Sequence, residues 1–155
     1  MIRKMLVDDI DNVVKIEEIV FNDNWRREAF TYELCDNPFS HYWVIEDNSR
    51  IFGYAGMWVT FDTAQITNIA VLPNFQNKGY GQQLMDTILH QAITDKCEFI
   101  ALEVRVSNLI AIKFYQTNGF IRISTKKAYY RDNFEDAFYM VKALESEIKY
   151  DHISD

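Results

Sequence analysis

Asn68-Ile69-Ala70-Val71-Leu72-Pro73-Asn74-Phe75-Gln76-Asn77-Lys78-Gly79-Tyr80-Gly81 is the stretch that decides how this chain folds. The run from Ala64 to Leu72 reads as a strand, and Pro73-Asn74 ends it. Beyond Gly81, the apolar residues Leu84, Met85, Ile88, Leu89 and Ala92 fall at helical spacing and make one stripe. Phe99–Val106 then alternates, with Ile100, Leu102, Val104 and Val106 on one side and Glu103 and Arg105 on the other. Strand, glycine-bearing loop, helix and strand in that order require a parallel crossover.

No other segment needs one. A short strand fits Ile2–Val7. Asp8 or Asp9 is placed to cap a helix carrying Ile10, Val13, Ile16, Ile19 and Val20. A second short helix fits Arg26–Cys35 and stops ahead of Asn37-Pro38. Tyr42–Glu46 and Ile51–Thr60 read as hairpin strands joined by Asp47-Asn48-Ser49-Arg50. Ser107 or Asn108 caps a helix ending near Thr117, with Asn118-Gly119 as its left-handed stop. Phe120–Tyr129 and Phe134–Ala143 close as a final hairpin around Arg131-Asp132-Asn133. The expected architecture is α/β, of α+β character: a mixed, mostly antiparallel sheet with flanking helices and one central β-α-β unit. No linker or repeat interrupts the chain, so residues 1–144 are expected to form one domain and residues 145–155 a polar C-terminal tail.

Composition narrows the function class. The 155 residues are 48% hydrophobic and 25% charged, the balance of an ordinary folded domain. Sixteen Lys and Arg against 23 Asp and Glu leave a net charge of -7. Such a surface repels phosphate backbones, which argues against nucleic acid as a direct ligand, and it suits a basic peptide. Cys35 and Cys97 stand in no C-x-x-C pair and read as reduced thiols; no metal site is expected. No long apolar run follows Met1-Ile2-Arg3-Lys4, so neither a leader nor a membrane span is expected, and the expected location is cytoplasmic. The expected state is a monomer or a weak homo-oligomer.

The glycine loop carries the chemistry. Glycines between a strand and a helix let the backbone turn tightly and present bare N–H groups at the positive end of the helix dipole, where phosphate binds. Lys78 adds a point charge. Gly81 is followed by Gln82-Gln83 and not by Lys-Ser/Thr, so this is no Walker loop, and Leu84 stands where a dinucleotide fingerprint has its third glycine. What remains is Gln-x-x-Gly-x-Gly, which on spacing alone is either a phosphate cradle or a plain helix-entry turn. Glu103, mid-strand among apolar residues, is either a general base or a charge on the exposed side of a half-buried strand paired with Arg105. Tyr115 is either a proton donor or a core aromatic beside Phe114. Tyr129, Tyr130 and Arg131 either line a groove or pack across the last hairpin.

The quoted stretch resembles the acetyl-CoA pyrophosphate motif of the GCN5-related N-acetyltransferases. Leu102-Glu103-Val104-Arg105-Val106-Ser107-Asn108, Ala111-Ile112-Lys113-Phe114-Tyr115, Asn118-Gly119-Phe120 and Tyr129-Tyr130 with Glu135-Asp136-Ala137 resemble the RimI-type ribosomal-protein-alanine N-acetyltransferases. The resemblance spans roughly positions 2 to 143. It implies the fold of that family and acetyl-CoA as donor. Ile69, Ala70 and Val71 would splay from the neighbouring strand and pair with pantetheine amides. Gln76, Asn77, Lys78, Gly79, Tyr80, Gly81 and Gln82 would hold the pyrophosphate, and Asn108 would contact CoA while capping its helix. Glu103 is implied as general base and Tyr115 as the acid that protonates CoA sulfur. Trp25 and the helix after it resemble the acceptor-side wall, although Asn24-Trp25-Arg26 stands where Pro-Trp-Ser is common. Tyr129, Tyr130 and Arg131 would line the peptide groove. The implied acceptor is the basic N-terminal peptide of a ribosomal protein, the alanine-started eighteenth protein of the small subunit, acetylated directly in a ternary complex. Two other readings stay open: a lysine side chain, polyamine or other small amine as acceptor, and a non-catalytic acyl-CoA-binding module.

Overall fold

A computed structural model of the chain describes residues 1–22 and 24–144; the expected tail at 145–155 lies outside the described residues. Among the described residues, seven strands form one sheet in the order β1-β2-β3-β4-β5-β7-β6. They are β1 (Ile2–Lys4), β2 (Ser40–Asp47), β3 (Arg50–Thr60), β4 (Thr63–Val71), β5 (Phe99–Arg105), β6 (Ile121–Lys126) and β7 (Ala137–Ala143). Only the β4–β5 pairing is parallel. Helices α1 (Ile10–Val20) and α2 (Arg27–Cys35) cover one face, and α3 (Tyr80–Thr94) and α4 (Leu109–Thr117) the other.

Each face has its own core. Ile10, Val13 and Ile16 of α1 and Phe30 of α2 pack on Tyr42, Val44 and Tyr54. Leu84, Met85, Ile88 and Ala92 of α3 pack on Trp43, Ala55, Met57, Ile100 and Leu102, joined by Tyr115 and Phe120. The α3 stripe is therefore the one its spacing predicts. The α1 stripe differs at one place. Ile19 is 62% exposed, while Glu17, which recurs on the face of Ile10, Val13 and Ile16, is 2% exposed. Nor does Asp9 cap α1. Its carboxylate takes two hydrogen bonds from the Arg3 guanidinium (2.8 and 3.0 Å) and one from the Leu6 backbone N–H (2.7 Å), so the stronger charged donor has claimed it.

β4 crosses between the two cores. Opposite Gly56 and Met57 of β3 stand Asn68 and Ile66, which leaves Thr67 as the extra residue of a β-bulge. A bulge shifts the side-chain alternation by one position. Ala64 and Ile66 accordingly join the α3 core, whereas Ala70 joins the α1 core. The Tyr42 hydroxyl bonds Thr67 Oγ1 (2.8 Å), and the Tyr42 ring lies directly on Gly56. A Cβ at Gly56 would come within 2.0 Å of that ring. Gly56→Ala is expected to cost about 1–3 kcal/mol by forcing Tyr42 off its seat, read as a lower urea midpoint with an unchanged slope.

The last hairpin is shorter than its sequence suggests. β6 ends at Lys126 and β7 begins at Ala137, leaving a long loop between them. Arg105 holds that loop. It bonds both Asp132 carboxylate oxygens (3.0 and 2.9 Å), Glu135 Oε1 (3.2 Å) and Asn133 Oδ1 (3.1 Å), and its guanidinium lies 3.9 Å from the Tyr130 ring centroid. Five contacts from one β5 side chain outcompete strand pairing. At the end of the described residues, Leu144 is buried and its backbone N–H bonds the Glu98 carbonyl (2.8 Å).

Candidate active site

β4 and β5 pair only from Thr63 to Gln65 and from Phe99 to Ala101. β4 then runs on to Val71 and β5 to Arg105 with no ladder between them. This opens a wedge, and backbone groups facing a gap need a partner from outside the sheet. Ile69, Ala70 and Val71 stand along one side of it, and Glu103 along the other. The expected splay is present.

The glycine loop lies at the wide end. Gln76 Nε2 donates to the Val71 carbonyl (2.8 Å), which ties the loop to the strand. Asn77 (φ +61°) and Gly79 (φ +87°) are both left-handed, and Gly79 is the N-cap residue of α3. A Cβ on Gly79 would meet nothing within 4 Å, so its glycine answers to backbone conformation and not to crowding. The first turn of α3 has neither a side-chain cap nor an acidic residue. In contrast, the first turn of α4 is capped by Asn108 Oδ1, which accepts from the Ala111 N–H (3.2 Å). The α3 terminus thus keeps its N–H groups and positive dipole end for an anion.

The side chains around it divide by role. Tyr80 packs edge-on to Phe52 (4.7 Å between centroids) and serves the core. Gln82 Nε2 donates to Asp86 Oδ1 and Asn118 Oδ1 (both 2.8 Å), binding α3 to the end of α4. The Gln82 side-chain amide is thus engaged within the protein, and its backbone N–H stays at the start of α3. Lys78 is exposed and reaches 5.9 Å from the Phe75 centroid. Wedge, left-handed glycine and uncapped helix suit a long thread with amides and a pyrophosphate, which is the form of a CoA ester.

Glu103 sits at the other side of the wedge with its side chain 13% exposed. Gln65 Nε2 donates to its Oε2 (2.6 Å) and Lys126 Nζ to its Oε1 (2.7 Å). The pairing foreseen with Arg105 does not occur, because Arg105 is taken by the β6–β7 loop. Tyr115 is 9% exposed and packs against Phe114 and Phe120; burial pushes its phenol up to about 12. Burial also pushes the Tyr130 phenol up; Arg105 opposes this, and Tyr129, Glu103 and Tyr115 add to it. The Tyr129 and Tyr130 rings stand edge to face with centroids 5.0 Å apart.

The remaining residues expected on the acceptor side are more scattered. Arg131 is exposed at the loop. Trp25 stands apart, on the α1–α2 face, with its ring 5.4 Å from Phe30 and 6.4 Å from Tyr42. Its backbone N–H donates to Glu17 Oε1 (3.0 Å). Glu17 Oε2 and Asn68 Oδ1 are both buried without a partner, and burial pushes the Glu17 carboxyl up to about 7. Sequence reasoning missed Gln65 and Lys126 and gave Arg105 a different partner; these roles follow from strand register. Glu17 left one signal, its place on the apolar stripe of α1. Among the described residues no group of three or more His, Cys, Asp or Glu is placed to hold a metal, and no helix is long and apolar enough to cross a membrane.

Residues 10–120 match the acetyltransferase (GNAT) family. A Bacillus subtilis protein described as a candidate ribosomal-protein-bS18-alanine N-acetyltransferase is 39% identical over 139 residues, covering 90% of this chain and 92% of the relative. An N-alpha-acetyltransferase of Saccharolobus solfataricus is 30% identical over 156 residues, covering 92% of each. The crystal structure of the ribosomal-protein-S18-alanine N-acetyltransferase from Escherichia coli superposes with a TM-score of 0.84 at 26% identity, over 95% of this chain and 96% of that one. With the splayed strands, the uncapped glycine turn and a family match over most of its length, this chain belongs to the GNAT family of acetyltransferases.

Proposed function

We propose that this protein moves the acetyl group of acetyl-CoA onto the N-terminal α-amine of a protein, the alanine-started bS18 ribosomal protein being the favoured acceptor. The observation that carries the reading is Glu103: a largely buried carboxylate at the edge of the β4–β5 wedge, held by Gln65 on one oxygen and Lys126 on the other. The relatives named for bS18 acetylation support the choice of acceptor.

The chain's residues divide the work. The backbone groups of Ile69–Val71 that face the wedge hold the pantetheine, and an N–H there polarises the acetyl carbonyl. The loop Gln76–Gln82 and the α3 terminus hold the pyrophosphate, and Asn108 steadies the CoA from the start of α4. Glu103 takes the proton of the α-ammonium, directly or through one water. That amine has a pKa near 8, so a carboxylate suffices at neutral pH. The amine attacks the carbonyl carbon, the C–S bond breaks, CoA leaves as thiolate, and the second nitrogen proton passes to solvent water, leaving a neutral amide. Tyr115 is the donor toward sulfur. A phenol near 12 holds its proton far more tightly than a thiol near 8.5, so it stabilises the departing sulfur through a hydrogen bond that is strongest as charge develops.

Two basic peptides of one sequence test the reading. One carries a free N-terminal alanine and blocked lysines, the other a blocked terminus and free lysines. Acetylation of the first alone, read by mass spectrometry, is the expected result. Acetylation of the second alone would replace the α-amine by a lysine acceptor. Neither product, with CoA still bound, would point to a small-amine acceptor or a non-catalytic CoA-binding module.

A further inference from the structure

The carboxylate assigned as the base is not free. Lys126, the last residue of β6, places Nζ 2.7 Å from Glu103 Oε1, 4.7 Å from the Tyr139 ring centroid and 5.5 Å from the Tyr129 ring centroid. Tyr139 stands directly opposite Glu103 in the β5–β7 register, which fixes this arrangement. Gln65 engages the second oxygen. A carboxylate oxygen flanked by aromatic faces is a general way to hold an ammonium group: charge-assisted hydrogen bond on one side, ring quadrupoles on the others.

An acceptor α-amine is itself an ammonium at neutral pH, since its pKa is near 8. To give its proton to Glu103 directly it must approach a carboxylate whose oxygens already accept from Lys126 and Gln65, and like-charge repulsion between two adjacent ammonium groups opposes both staying there. We propose that Lys126 is the resident occupant of the acceptor's ammonium seat, formed by Glu103 Oε1 and the faces of Tyr129 and Tyr139, and that the acceptor binds by displacing it. The inference rests on Glu103 being the base.

Displacement is feasible because Lys126 is half-exposed, with its side chain 42% accessible, and has solvent to swing into. Its hydrogen bond to Glu103 pushes its own ionisation up, so it competes as a cation across the working pH range. The competent state is then the fraction with Lys126 swung away, and the apparent affinity of every amine falls by that fraction. A small amine brings nothing further to offset this. A peptide that also contacts the β6–β7 loop does, so the resident lysine favours peptide acceptors at working concentrations.

The test compares Lys126→Met and Lys126→Gln, which remove the ammonium, with Lys126→Arg, which keeps a cation. In both neutral variants KM for the alanine-started peptide is expected to fall about three- to tenfold, with kcat changing less and KM for acetyl-CoA not following. Lys126→Arg should stay near the native KM. An unchanged or raised peptide KM in the neutral variants would overturn the proposal and make Lys126 a support for Glu103. The two readings fail separately: full kcat in Glu103→Gln would remove the base, whereas the peptide KM of the neutral variants reports on the seat.

Discussion

Glu103→Gln is expected to lower kcat by about 10²–10³-fold, the usual contribution of a positioned general base, while acetyl-CoA binding changes by less than about twofold. The substitution preserves shape and removes the negative charge, and with it both the capacity to accept a proton and the charge-assisted bond from Lys126. The residues assigned to CoA lie on β4, the glycine loop and the start of α4, and none of them bonds Glu103. The loss should therefore fall on the chemical step. Single-turnover acetyl transfer and calorimetric CoA binding, measured on the same protein, separate the two. A kcat within about threefold of native would remove Glu103 as base and require the amine to arrive already neutral. Tyr115→Phe makes a useful contrast. In the proposed role it would remove a hydrogen bond to the leaving sulfur, about a tenfold effect, from a residue whose ring keeps its packing on Phe114 and Phe120.

What was legible in the sequence follows the range of the interactions involved. The β4–loop–α3 unit was readable because every determinant is local: Pro73 ends the strand, Gly79 supplies a left-handed residue, and the α3 stripe has a helical period. Asn108 as the cap of α4 was readable for the same reason. The features that were not legible depend on partners far along the chain. Arg105 looked like a natural mate for Glu103 because both point from one side of β5. The β6–β7 loop offers it Asp132, Glu135 and a tyrosine face, and β6 then supplies Lys126 to Glu103 instead. The Thr67 bulge is invisible in a strand that alternates cleanly on both sides of it, yet it decides which core receives Ala70. The wedge has no local signature at all. It is the place where two strands stop pairing, and here the family resemblance supplied what the spacing could not.

Glu17→Gln is expected to make the protein more stable at pH 8, by about 3 kcal/mol relative to whatever the substitution does at pH 4. Glu17 is 2% exposed, and burial raises its carboxyl from 4.5 to about 7. The folded state therefore holds this proton more tightly than the unfolded chain does. Below about pH 4.5 both states are protonated and the group adds no pH dependence. Between about 4.5 and 7 the unfolded chain ionises first, so the folded state progressively loses stability as pH rises. Above 7 the full penalty applies, because an ionised carboxylate with an unpartnered Oε2 is held against the α1 core. Glutamine removes the titration and can keep the bond from the Trp25 N–H to its side-chain oxygen. Its amide is also a donor near Asn68, whose Oδ1 has none. Urea unfolding of both proteins at pH 4, 6 and 8 isolates the effect, since every other titration cancels in the difference. Melting points at pH 8 should differ by about 5–10 °C. A difference that stays constant from pH 4 to 8 would mean that Glu17 ionises normally and that its burial is relieved in solution. The same comparison bears on the proposed acceptor-side wall at Trp25, since Glu17 is what fastens the Trp25 backbone to α1. A variant that gains stability and keeps its peptide KM would show that this wall needs the hydrogen bond and not the charge.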